Sequence, residues 1–306
     1  YKQRNKNVSD NKIWAWKQYN DVPIKVFSYF KGNTMIKSEV TNDQFYTKDA
    51  VAHTLIKKLQ NKYKNIDMYI EPSAGSGSFY NFLPKGKRIG LDIDPKHKEI
   101  KKQDFFSFDS SNLIKSYSSI CVVGNPPFGK NSSLAIKFFN HSASFAKYIA
   151  FIVPRTFRKE SVINRLNKHF HLVYEEILEK KSFKLVDNTD YSVPCTFQVW
   201  EWKSFKRKAI LRSKNHKDWS WVSKEENPKF AIRRVGVNAG KIFKFDKNIS
   251  PSSHYFIKCD SQVFDNFRKL FEKMYSKENN DTHKYDTVGN PSISMSDLVE
   301  DYSRLF

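Results

Sequence analysis

Cysteine is scarce in this 306-residue chain, and the three present (Cys121, Cys195 and Cys259) stand far apart with no Cys-x-x-Cys pair. No disulfide framework or cysteine-based zinc site follows from that spacing, and an odd number of thiols in apolar surroundings reads as reduced and buried. The eight histidines form no metal set. His169 and His171 fall on one face of an expected strand, but no cysteine or third histidine lies near, so they read as surface or groove residues. No apolar run reaches the roughly 20 residues of a membrane span, no secretory leader is visible, and no internal repeat is found. The resulting expectation is an intracellular protein (cytoplasm, nucleus or viral factory), not secreted, without a membrane or metal partner.

Acidic residues are also scarce. Asp and Glu number 32 against 53 Lys and Arg, giving a formal charge of +21 and a pI near 9.6. Such a surplus favours a polyanionic partner. It is uneven along the chain: residues 204–258 hold 14 basic against 4 acidic side chains, a net of +10, whereas residues 259–306 hold 6 against 9. Lys206, Arg207, Lys208, Arg212, Arg233, Arg234 and Lys241 lie in the basic segment, interleaved with Trp219, Trp221 and Phe230. Cations beside flat rings suit phosphates and unpaired bases, although core packing is the plainer reading for at least one tryptophan.

Against these absences stands Asn125-Pro126-Pro127-Phe128, which follows the apolar run Ile120 to Gly124. That run reads as a buried strand ending in a turn. Two prolines fix the backbone and remove two amide donors, leaving an acceptor-rich corner at a strand's carboxyl end. Such a corner suits an amino group, whose N–H bonds need acceptors. Upstream, Met68-Tyr69-Ile70 runs into the glycine-bearing turn Glu71 to Phe79, and Arg88 to Asp94 forms a second strand ending in carboxylates. Asp104 follows a charged stretch. Four elements with polar groups at their carboxyl ends in about sixty residues make a nucleotide-site layout.

With these motifs the chain, over roughly Asn42 to Trp202, resembles S-adenosylmethionine-dependent amino-methyltransferases of the N6-adenine type. The resemblance implies that Glu71 to Phe79 is the cofactor motif, with Ser73, Ala74, Gly75 and Gly77 close to the ligand. Glu71 would face its ammonium or orient the loop. Asp92 would hold ribose beside Ile93, with Asp94 as the alternative. Asp104, next to Phe105, would read the cofactor's adenine. Asp43 to Thr47, including Tyr46 and Thr47, would close over the methionine moiety. Asn125, Pro126, Pro127 and Phe128 would form the catalytic motif, Phe128 stacking on the target base with Tyr46 or Phe157 on its other side.

The order of elements predicts an α/β fold: a doubly wound, mostly parallel sheet of the Rossmann-like methyltransferase type, with a small C-terminal mixed α/β module. Three parts are expected: a basic and aromatic N-terminal extension (1–40), a methyltransferase core (41–203) and a basic module for nucleic-acid recognition (204–306). Helical spacing is expected from Lys48 to Leu59, after the Asn-Pro-Pro-Phe turn, over 162–167 and through Phe264, Phe267, Leu270 and Phe271. Strands are expected over 22–27, 148–154, 172–178, 193–202, 219–222 and 230–236, and a polar loop over 278–286.

The expected activity is methyl transfer from S-adenosylmethionine to the N6 amino group of adenine in nucleic acid, with DNA slightly ahead of RNA. An RNA adenine enzyme is the nearest alternative, then a protein glutamine methyltransferase, then a non-catalytic nucleic-acid-binding subunit. Enzymes of the glutamine class favour Tyr after the two prolines, where this chain has Phe128. A partner subunit or a homodimer is left open.

Overall fold

A computed structural model describes the backbone of residues 13–19, 22–31, 34–40, 45–276, 282–287 and 290–306, and the side chains of those from 45 onward. The basic arm Lys2 to Lys6, the side chains of Trp14 and Trp16, Asp43, and residues 278–281 of the expected polar loop lie outside the described set.

Strands β1 (Ile13–Tyr19), β2 (Val22–Lys31) and β3 (Thr34–Val40) form an antiparallel meander, with Ile13 opposite Ser28 and Lys25 opposite Val40. The two-residue β4 (Tyr46–Thr47) precedes α1 (Asp49–Lys62), whose Ala52, Leu55, Ile56 and Leu59 recur at helical spacing and are buried. Next come β5 (Met68–Glu71), β6 (Arg88–Asp92), β7 (Lys101–Lys102), α2 (Ser111–Ser116), β8 (Ile120–Gly124), α3 (Ser133–Ser142), β9 (Tyr148–Pro154) and α4 (Glu160–Ile163). The helix expected over 162–167 is therefore a single turn placed earlier. Its continuation is broken where Asn164 donates to the Ile210 carbonyl and Asn167 accepts from the His169 amide.

Strands β10 (Phe170–Ile177), β11 (Phe183–Lys184), β12 (Asp190–Tyr191) and β13 (Cys195–Trp202) follow. Seven strands make one sheet in the order β10-β13-β9-β8-β5-β6-β7, and β13 alone runs against its neighbours. Buried on both faces, β5 and β8 read as continuous apolar runs, as parallel strands do. Rings from several elements, among them Phe139, Phe151, Phe170 and Phe197, are fully buried here. Each contributes about 1.5–3 kcal/mol by leaving water. The direction of winding reverses between β5 and β8, so their carboxyl ends open a crevice at Glu71 and Gly124.

A second apolar cluster gathers Trp219, Phe230, Ile232, Ile257, Phe267, Leu270, Tyr275, Leu298 and Tyr302. It lies on the antiparallel sheet β14-β17-β15-β16, built from β14 (Ser220–Val222), β15 (Phe230–Arg233), β16 (Ile242–Lys244) and β17 (His254–Lys258). Helices α5 (Ser261–Leu270) and α6 (Met295–Leu305) supply the rest. The strand expected over 230–236 ends at Arg233, ahead of Gly236 at φ +85°. At Gly240 (φ +89°) a Cβ would come within 2.5 Å of the Tyr275 ring, so only glycine fits. No helix among the described residues is long and apolar enough to cross a membrane.

Candidate functional site

A cavity of about 460 Å³ sits where the carboxyl ends of β5, β6 and β8 meet β4, within the size range of small-molecule sites. Glu71 closes the end of β5 and is 2 % exposed. Burial pushes its carboxyl well above the ordinary carboxylate range; the Asp92 charge adds to the rise, and amide bonds from Tyr80 and Phe79 oppose it. The turn after β5 brings Ser73, Ala74, Gly75, Ser78 and Phe79 to the wall. Gly75 has φ +51°, and a Cβ there would lie 2.9 Å from the Tyr46 ring, so this ring covers the glycine directly.

Asp92, at the end of β6, accepts the Gly75 amide at 2.7 Å and the Asp94 amide at 2.8 Å, which locks the glycine turn to the strand end. Beyond it Ile93 is 71 % exposed and forms an apolar shelf on the cavity. Asp94 and Lys96 pair across 2.6 Å at the rim. At the end of β8, Gly124 adopts φ +149°, a Cβ there would lie 3.1 Å from Glu71 Cγ, and Asn125 and Pro127 line the cavity beyond it. Ser73 Oγ donates to the Asn125 carbonyl at 3.3 Å.

Four side-chain atoms in this one cavity are buried without a hydrogen-bond partner: Thr47 Oγ1, Glu71 Oε2, Ser78 Oγ and Asn125 Oδ1. Buried polar atoms are normally paired, so their convergence marks a place built for a polar ligand. The fixed charges favour a cationic one, since Asp92 and Asp94 face the cavity and, among the described residues, Lys96 is the only basic one in its lining.

The sequence-predicted residues Tyr46, Thr47, Glu71, Ser73, Ala74, Gly75, Asp92, Ile93, Asn125 and Pro127 thus meet in one place. Others do not reach the cavity wall. Phe128 is 2 % exposed, its ring edge-on to Phe45 at 5.4 Å. It is not free to stack on a base, because β11 pairs with β4 and brings Phe183 against Phe45 at 4.9 Å, closing a strap over the turn. Pro126 is buried, and Phe157 is in the core. Asp104 is exposed and caps the 3-10 turn after it by accepting the Phe106 amide. Phe105 is buried against Phe138, 5.3 Å away. Gly77 turns its α-carbon toward Asn81 and His97. The sequence reading missed Lys96 and Val186. Val186, 69 % exposed in the strap, was detectable as an apolar residue inside a polar loop.

Among the basic candidates, Lys206, Lys208 and Lys241 are exposed. Arg207 is not available to a phosphate. Its guanidinium donates to the carbonyls of Phe170, Ile163 and Leu166, and burial lowers its pKa. Arg212 is likewise committed to Glu160, Asp297 and Glu300. Arg233 donates to the Val235 carbonyl, and Arg234 lies over the Tyr255 ring. Trp219 is buried between His216, Trp221 and Phe267. Among the described residues, no group of His, Cys, Asp and Glu side chains is placed to hold a metal ion.

Residues 86–229, just under half of the chain, match the family described as the EDM2 methyltransferase-like domain. That stretch includes β6 and the Asn125 turn. A provisionally named RNA methyltransferase from Pyrococcus horikoshii is similar in structure at 13 % identity, over 49 % of this chain and 82 % of that one, with a TM-score of 0.34. A provisionally named methyltransferase from Escherichia coli is similar at 11 % identity over 50 % and 86 %, with a TM-score of 0.30. No curated protein matches the chain. The similarity of residues 86–229 to a methyltransferase-like domain, together with the Rossmann-like α/β sheet, supports methyl transfer as the general activity.

Proposed function

We propose that the chain transfers a methyl group from S-adenosylmethionine to the N6 amino group of adenine in nucleic acid, with DNA slightly ahead of RNA. The observation that carries the reading is Asn125 Oδ1, a buried acceptor without a partner at the edge of the cavity, on a turn that two prolines strip of amide donors. An amino group approaching this corner finds an unpaired acceptor on a turn with two fewer backbone donors.

The residues present fit the donor. Thr47, Glu71 and Ser78 offer orphaned polar atoms to it while Asn125 Oδ1 is left for the amino group, Gly75 gives the close backbone approach, Asp92 is placed for ribose hydroxyls, and Ile93 offers an apolar face. When bound, S-adenosylmethionine supplies an electrophilic methyl group on a sulfonium. The protein's own part is positioning. Asn125 Oδ1 accepts one amino hydrogen, and the Pro126 carbonyl, which does not line the cavity while the strap is closed, accepts the other once the strap opens; together they favour a tetrahedral nitrogen with its lone pair directed at the methyl carbon. A general base is not required, since the proton leaves only after nitrogen has become cationic. The strap across Phe45 and Phe128 has to move for a base to enter, and in a duplex the adenine has to leave the stack as well.

Transfer of labelled methyl groups to duplex DNA, single-stranded DNA, total RNA and a protein lysate, followed by digestion and mass analysis, tests the reading. N6-methyladenine in a nucleic-acid pool is the expected product and decides between DNA and RNA. Label confined to protein overturns the substrate assignment.

A further inference from the structure

A second cavity, of about 540 Å³, lies far along the chain from the first, between α5 and the edge strand β16. Its rim carries Lys229, Lys241, Lys244 and Arg268, all exposed, against one acid, Glu272. Its floor is apolar: Ile242, Phe264 and Phe271 are half-buried, and Phe264 is backed by Phe230 at a ring distance of 5.0 Å.

Several other cations in the same part of the chain are committed. Arg212 is bound to three carboxylates, Arg233 and Lys284 donate to carbonyls, and Arg234 covers Tyr255. Among the described residues Lys229, Lys241 and Lys244 have no carboxylate within ion-pair distance; Lys229 donates to Ser261 Oγ at 3.4 Å, Lys241 lies 5.6 Å over the Phe243 ring, and Arg268 has only the exposed Asp265 at 3.8 Å. Part of the surplus over residues 204–258 therefore stands without a carboxylate partner around one concave, aromatic-floored groove.

We infer that this groove binds a single-stranded segment of nucleic acid, with phosphates on the four cations and unpaired bases against Phe264, Phe271 and Ile242. The inference rests on the nucleic-acid reading above and locates the contact away from Arg207 and Arg212. Duplex DNA hides its base faces in the stack and can use the rim but not the floor, whereas a single strand uses both. A peptide of acidic side chains alone, such as poly-glutamate, can use the rim but has no apolar group for the floor.

The test uses the full chain and fluorescence anisotropy with a labelled 12-nucleotide DNA, the same sequence as RNA, its blunt duplex, and a poly-glutamate peptide. The wild type should bind a single strand more tightly than the duplex. Lys229→Ala/Lys241→Ala/Lys244→Ala should weaken single-strand binding about tenfold or more and reduce the log–log salt slope by about 2, near 0.7 per lost contact. Glu272→Gln should tighten it. An unchanged slope in the triple variant, or equal affinity for duplex, overturns the groove assignment while leaving the methyl-transfer reading intact. Preferred binding of poly-glutamate through the same lysines overturns the choice of ligand. Failure of the wild type to bind any of the nucleic acids contradicts the nucleic-acid reading itself.

Discussion

The Arg155 guanidinium donates to the Asp286 carboxylate at 3.0 Å across 131 positions of sequence, with 3 % and 1 % of the two side chains exposed. Arg158 reaches the same oxygen at 3.0 Å, and nearby Lys159 and Arg212 share Asp297. The turn after β9, on the ligand-facing edge of the large sheet, is thereby tied to the segments around α6. Removing one partner of a buried pair leaves the other charged and unsolvated, a loss of about 3–5 kcal/mol. Asp286→Ala should lower the unfolding free energy by that amount in urea titration; a loss under about 1 kcal/mol would show that the pair adds little.

Glu71 gives a pH signature. Burial raises its carboxyl above the ordinary value of 4.5, so the folded protein keeps a proton that the unfolded chain releases. The stability this proton contributes is full below the unfolded value and is lost as pH rises through the folded one. Glu71→Gln, neutral throughout, should be more stable than the wild type at neutral pH and should fall less between acid and neutral pH. Denaturant melts at several pH values check this, and parallel curves for the two proteins would refute it.

Gly75 and Gly86 both have positive φ, yet a Cβ on Gly75 would press on Tyr46 whereas one on Gly86 would meet nothing within 4 Å. Alanine at either position should cost about 1 kcal/mol of backbone strain. Only Gly75→Ala should also displace Tyr46 and weaken S-adenosylmethionine binding, by an expected tenfold or more, as calorimetry would measure. Equal affinity in the two variants would remove the Tyr46–Gly75 contact from the ligand site.

Arg207 and its neighbours should separate two roles. Arg207→Ala strands three carbonyls and should cost about 1–3 kcal/mol of stability. Lys206→Ala/Lys208→Ala should leave stability within about 0.5 kcal/mol. A stability loss in the lysine variant equal to that of Arg207→Ala would contradict the distinction.

The large sheet was legible because its strands are apolar runs that end in turn chemistry: Met68 to Glu71, Ile120 to Gly124 and Tyr148 to Pro154 each announce themselves. Strand β7 did not, because both its side chains are exposed lysines held only by parallel pairing with Leu91 and Asp92. Strands β4, β11 and β12 are two residues each; β11 and β12 pair as a local hairpin, but β4 exists only through its long-range contact with β11. That is also why Phe128 was misread. Its place in the chain is local information, but the direction of its ring is decided by Phe45 and Phe183. Arg207 and Arg212 look like free cations in the sequence, since their partners lie about 40 to 85 positions away. That Glu71, Asp92 and Asn125 share one cavity was legible because strand ends at a switch point face the crevice.

The central claim is that Asn125 holds the accepting amino group. Single-turnover methyl transfer to adenine-containing nucleic acid, comparing wild type with Asn125→Ala under saturating S-adenosylmethionine, tests it most directly. The account predicts N6-methyladenine from the wild type and a rate at least about a hundredfold lower in the variant, with cofactor affinity nearly unchanged. Full activity in Asn125→Ala would contradict it.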